Sequence, residues 1–253
     1  MATLNWVKDN IAVLQFVVIV LGGGWGLYQY WHAQTESRRV AARQMAIQHL
    51  VVDGFFVAAS EVERVGYQVV CAWTSANSLR KHKDPVSDFE AWRKELLQSE
   101  HCRLILYGTN AHLAEAMCRV RTVHGVFNYA IINSYAGLRD GVRILASEPA
   151  DLFLRKSETE MYLYQNYYMF AGGVAAKAAE VLIDDENLTF STRHILRNKR
   201  LVTLIGLCEQ FREKHKAYVD AYQAQSDEQA TNKRLMELND WMNWAIEKGL
   251  NPI

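Results

Sequence analysis

From Ile11 to Trp31 the chain reads IAVLQFVVIVLGGGWGLYQYW, 21 positions without a charge. A helix of that length rises roughly 30 Å, the thickness of a bilayer's hydrocarbon, so the pattern predicts a transmembrane helix over about residues 11–31. Trp6 stands before the run, and Trp25, Tyr28, Tyr30 and Trp31 gather at its far end, where amphipathic rings prefer the headgroup level. Past residue 32 the apolar positions become periodic. Good helix formers from Glu36 to Trp73 predict that the first helix continues or restarts as a stalk, with Gly54 and Gly66 as points of bending. The polar stretch SANSLRKHKDPVSD, with Pro85 inside it, predicts a loop, and Ser87 three before Glu90 is a capping box for a helix through FEAWRKELL.

A further helix is expected from Asn110 to Leu138. Its second half, from Thr122, lacks Asp, Glu, Lys and Arg, but His124, Asn128, Asn133 and Ser134 fit a buried core helix better than a second membrane pass. Glu148 and Pro149 open the next helix, in which the aromatic stripe MYLYQNYYMF runs into the small-residue tract AGGVAAKAA. The stretch IDDENLTFST reads as a loop, with Ser191 or Thr192 as the following cap. Leu201, Leu204, Cys208, Phe211, His215, Tyr218 and Tyr222 then alternate spacings of three and four, a seam facing one partner helix. A second capping box, Ser226 to Gln229, starts a terminal helix with Leu235, Leu238, Met242 and Ala245 in the same spacing, and the two predict an antiparallel hairpin.

Composition adds to this picture. Only three prolines occur in 253 residues, which favours long helices, so the fold class expected is all-α: a transmembrane anchor at 1–32 followed by one helical domain at 33–253. Basic and acidic residues balance at 28 each, so no global field draws the chain to nucleic acid or anionic lipid. The four cysteines, Cys71, Cys102, Cys118 and Cys208, form no Cys-x-x-Cys pair and read as reduced, mostly buried thiols. Lys8 beside Asp9 is the only charge pair before the apolar run, whereas Arg38, Arg39 and Arg43 follow it, which by the positive-inside rule places the domain in the cytoplasm and the N-terminus outside. A cleaved signal peptide, with Gly22 to Gly24 near the cut, competes with this reading but leaves the aromatic belt without a purpose.

Within the span, Gly22 and Gly26 clear helix surface for another backbone, and the Gln15 amide needs a partner in lipid. These three, with the Leu201, Leu204 and Phe211 seam, are the residues expected to support a homo-oligomer. Marks of nucleotide, hydrolase or zinc chemistry are missing from the sequence, and no metal or cofactor is expected. His112 and Glu115 lie three apart, but Glu115 also stands four before Arg119, which predicts an ion pair. The remaining chemical candidate is Arg119 followed after four residues by His124; Arg43 and His49 also fit such a spacing.

Arg119 and His124 resemble the Arg-x(4–6)-His motif of HEPN-type ribonucleases, in which the resemblance implies that Arg stabilises phosphate charge and His transfers a proton. The usual polar residue after the Arg is replaced here by Val120. On one ideal helix the two positions diverge by roughly 140°, so convergence requires a distorted helix or a second subunit. With its single N-terminal membrane helix, the chain resembles CRISPR-associated accessory membrane proteins of bacterial antiviral defence, which implies an oligomeric, pore-like assembly in the inner membrane. The function expected is thus non-enzymatic. The alternatives are a membrane-tethered ribonuclease using Arg119 and His124, with RNA as partner, and an adaptor holding a cytoplasmic protein at the bilayer.

Overall fold

The computed structural model describes residues 11–108, 110–185, 190, 192–224 and 227–250, and it is helical with no strand among them. Two compact units divide the chain, one ending at Ala46 and the other starting at Ile47. The first holds a single described helix, α1 (Ile11–Ala46), which runs through the apolar stretch into the charged one. Its 18-residue apolar window is wholly unburied. Phe16, Leu27 and Trp31 are 67%, 72% and 73% exposed, so α1 is long and apolar enough to cross a membrane and is not covered in the way a core helix is.

The second unit is a helical bundle. It comprises α2 (Ile47–Phe56), α3 (Val57–Leu79), α4 (Pro85–Gln98), α5 (Glu100–Tyr107), α6 (Ala111–Val123), α7 (Gly125–Ser147), α8 (Ala150–Asp184), α9 (Thr192–Ile195), α10 (Lys199–Gln223), α11 (Glu228–Ala245) and α12 (Ile246–Leu250). Helices α2 and α12 have π-type bonding, from each N–H to the fifth carbonyl back. At the centre lies α8, 35 residues long, packed on α2, α3, α4, α7, α10, α11 and α12. Its aromatic half fills the bundle in two clusters. Trp73, Phe89, Phe153 and Tyr164 meet with ring centroids 4.6–4.8 Å apart, and the Trp73 indole donates to the Gly141 carbonyl at 3.1 Å. Tyr167 and Phe170 meet Phe211, His215 and Trp241 from α10 and α11. Further along α8, Ala171, Ala175, Ala178 and Ala179 are fully buried. The hairpin of α10 and α11 forms as the seam spacing predicts.

Close packing is set by glycines opposite tyrosines. A Cβ on Gly66 would lie 2.4 Å from the Tyr168 Cβ, one on Gly137 2.5 Å from the Tyr167 ring, and one on Gly141 2.7 Å from the Tyr164 ring. Gly66 is therefore a notch for α8 in an uninterrupted α3, not the bend the sequence predicts.

Several helix ends differ from the sequence reading. Asp84, not Ser87, caps α4, accepting from the Ser87 N–H at 3.3 Å with Pro85 at the first helical position. Asp caps as well as Ser does, and Pro85 beside it needs no N–H partner and is pre-set for the first helical position, so the pair starts the helix earlier. The helix expected from Asn110 to Leu138 breaks at His124, whose extended backbone (φ −164°) separates α6 from α7. Pro149 stands just before α8 rather than inside its first turn. Ser191 and Ser226 lie outside the described residues; Asp227 caps α11 through the Gln229 N–H at 3.3 Å. All four cysteines are free, but Cys71 and Cys118 are exposed, contrary to the expectation of mostly buried thiols.

Candidate functional site

Arg119 stands in α6 before the α6–α7 break and His124 at the break itself, and each has its own engagement. From the last turns of α6, Arg119 donates through one terminal nitrogen to Glu115 Oε1 at 2.6 Å and through the other to the Asp53 carbonyl at 3.0 Å. The ion pair expected for Glu115 is thus present. Asp53 belongs to the π-bonded α2, where Gln48 also reaches its carboxylate at 3.0 Å, five residues on. His124 is the N-cap of α7 and accepts the Val126 N–H on Nδ1 at 3.3 Å. An imidazole that accepts on Nδ1 and is neutral carries its proton on Nε2, so its free nitrogen is a donor rather than a base. Arg119 thus secures α2 to α6, and His124 starts α7.

The N-terminus of α6 is equally fastened. Asn110 caps it by accepting from the Leu113 N–H at 2.9 Å and donates to Glu61 Oε2 on α3 at 2.6 Å. Arg64 donates to the same oxygen at 2.9 Å. Burial disfavours the charged form of Glu61, but the hydrogen bonds from Arg64 and Asn110 and the nearby His112 outweigh it and hold the carboxyl below its ordinary range. His112 and Tyr135 line the same cleft of about 270 Å³. A second, mostly apolar cleft of about 320 Å³ lies between α3, α4, α5 and α7, walled by Trp73, Trp92, Leu96, Ile105 and Leu145. Cys102 lines it, and burial pushes its thiol up, away from the nucleophilic thiolate. Among the described residues no three His, Cys, Asp or Glu side chains group to hold a metal.

The residues expected to support association fall into two classes. Leu201, Leu204 and Phe211 are 0%, 3% and 0% exposed within one chain, packed with α7, α8 and α11. They are spent on the bundle's own core and present no surface to a second chain. Gln15, Gly22 and Gly26 are exposed on α1, and a Cβ on either glycine would meet nothing within 4 Å. Seven residues turn an ideal helix to within about 20° of the starting direction, and eleven to about 20° on the other side, so Gln15, Gly22 and Gly26 share one stripe roughly 40° wide. Gln29, seven past Gly22 and also exposed, extends that stripe and escapes a reading that looks only for glycine pairs. The signal was in the sequence as a repeat of seven. Phe16, Val20, Leu27 and Trp31 occupy the opposite side, all more than half exposed.

No family model, curated protein or solved structure matches this chain.

Proposed function

We propose that this chain is a single-pass membrane protein that assembles with copies of itself through the Gln15–Gly22–Gly26–Gln29 stripe of α1, with its helical domain on the cytoplasmic side. The observation that carries this reading is that Gln15, Gly22 and Gly26 line one side of an apolar helix that nothing in the chain covers. Gly66, Gly137 and Gly141 are filled by tyrosines of the same chain, whereas Gly22 and Gly26 face nothing in it. Each glycine inside a helix gives up about 1 kcal/mol relative to alanine in water, and a matched gain exists where a second backbone approaches. The Gln15 amide on the same stripe favours a copy of the chain as the neighbour, since it supplies both donor and acceptor to its counterpart in a medium that offers neither.

Mass measurement of the full chain in mild detergent tests this: a defined multimer is expected, and a strict monomer at high concentration overturns it. The pore role implied by the resemblance is a further step, tested separately by conductance across a planar bilayer.

A further inference from the structure

The π-type bonding of α2 spans ten residues, long for a form found mostly as single-turn bulges, and such bulges often mark functional positions. It lies in sequence between the apolar helix and α3. Its contacts are specific. Val51 and Phe55 are fully buried, Phe55 meets Phe127 edge-on at 5.6 Å, and Val52 and Phe56 are 37% and 43% exposed. A Cβ added to Gly54 would lie 3.5 Å from Arg119 Cβ and 3.6 Å from Val120 Cγ2, ordinary van der Waals contact. Two side chains hold Asp53 at the middle of the segment: Gln48 takes its carboxylate at 3.0 Å, and Arg119 takes its carbonyl at 3.0 Å.

We propose that α2 is a two-register element and that Arg119 is its latch. A π-bonded segment and an α-bonded one differ in which carbonyl each N–H takes and in residues per turn, so moving between them changes which side chains face the core. The Arg119 guanidinium occupies one lone pair of the Asp53 carbonyl from outside the helix, and the Glu115 carboxylate fixes the guanidinium in place. Both partners come from α6, which packs directly on α2 and which Asn110 also ties to Glu61 on α3. When Arg119 lets go, α2 moves to the α-bonded register and Val51 loses its fixed burial. Arg119 is a positioning residue here, acting on α2 and not on a substrate.

Maleimide labelling of the full chain in mild detergent tests this. With Cys71→Ser, Cys102→Ser and Cys118→Ser as background, Val51→Cys and Val52→Cys are labelled separately; native Cys208, 0% exposed in the core, reports global opening. With Arg119 present, position 52 reacts and position 51 is protected. Arg119→Met is expected to raise labelling at 51 by about tenfold while Cys208 stays protected, the scale of removing one charge-assisted hydrogen bond from a local opening equilibrium. Arg119→Lys, which keeps the charge and a donor, is expected to restore part of the protection, and Asn232→Ala on the distant α11 to change nothing. Unchanged protection at 51 in Arg119→Met overturns the latch. So does parallel exposure of 51 and Cys208, because Arg119 would then support the whole bundle and not the register of one segment.

Discussion

Replacing Gly66 by alanine tests how the bundle is held together. The added Cβ would sit 2.4 Å from the Tyr168 Cβ and 2.7 Å from its Cγ. Ordinary carbon contacts lie near 3.5–4.0 Å, so α3 and α8 would have to part by about 1 Å. Because the obstacle is the root of the tyrosine side chain, no rotamer change relieves it. Overpacking of this kind typically costs 1–3 kcal/mol, and a clash against backbone-proximal atoms belongs at the upper end. Alanine's better helix propensity returns about 1 kcal/mol, leaving a net loss of about 2 kcal/mol. For a domain of this size each kcal/mol moves the midpoint by roughly 2–4 °C, so thermal unfolding followed by circular dichroism in mild detergent should show Tm about 4–8 °C lower. Gly206→Ala, whose Cβ meets nothing within 4 Å, should raise Tm by roughly 2–4 °C through propensity alone. Two double variants sharpen the test. Tyr168→Ala should not rescue Gly66→Ala, since the offending Cβ remains, whereas Tyr164→Ala should relieve Gly141→Ala, where only ring atoms interfere. A Gly66→Ala protein as stable as Gly206→Ala would refute the reasoning.

Two further outcomes follow from single residues. Burial lowers the His215 pKa from 6.5 to about 4, among Tyr129, Tyr167 and Phe211. The unfolded chain therefore binds the proton first, and the stability of the neutral ring is fully present above pH 6.5 and lost as pH falls toward 4, by up to roughly 3 kcal/mol. Denaturation midpoints between pH 7 and 4 should fall less steeply in His215→Phe, and identical slopes would contradict a buried neutral imidazole. His124→Ala removes the α7 cap, with an expected cost of about 1 kcal/mol in the same unfolding assay. RNA incubated with either protein should show no difference in cleavage; cleavage lost only in His124→Ala would return that residue to a catalytic role.

Much of the architecture is local and was legible for that reason. The apolar run of α1 needs only a count of residues, and the α10–α11 hairpin only the three-four spacing of Leu201, Leu204, Leu235 and Leu238. What escaped depends on partners far along the chain. Gly66 reads as a helix breaker until Tyr168 fills its notch, about a hundred positions later. The π-type bonding of Ile47–Phe56 has no periodicity of its own in the sequence and is supported by Arg119 from α6. His124 interrupts an apolar run without a usual capping residue, which hid the break between α6 and α7. For the candidate site, the Arg119–His124 spacing and the Glu115–Arg119 ion pair were visible, but spacing does not tell that the Asp53 carbonyl also holds Arg119 and that His124 is engaged by the Val126 N–H. Apolar spacing also does not distinguish a seam used within the chain, as at Phe211, from one used between chains.

The central claim is that the glycine stripe of α1 joins copies of this chain in the membrane. Gly22→Leu combined with Gly26→Leu fills the stripe with side chains that lipid accepts at least as well, so insertion should persist while close helix approach is blocked. The decisive measurement is the particle mass of this variant beside the unaltered chain, both extracted from the membrane fraction in the same mild detergent. The account predicts a multimer for the unaltered chain and a shift to single chains for the double-leucine variant, at equal recovery from the membrane. A multimer of undiminished mass in the double-leucine variant would contradict it.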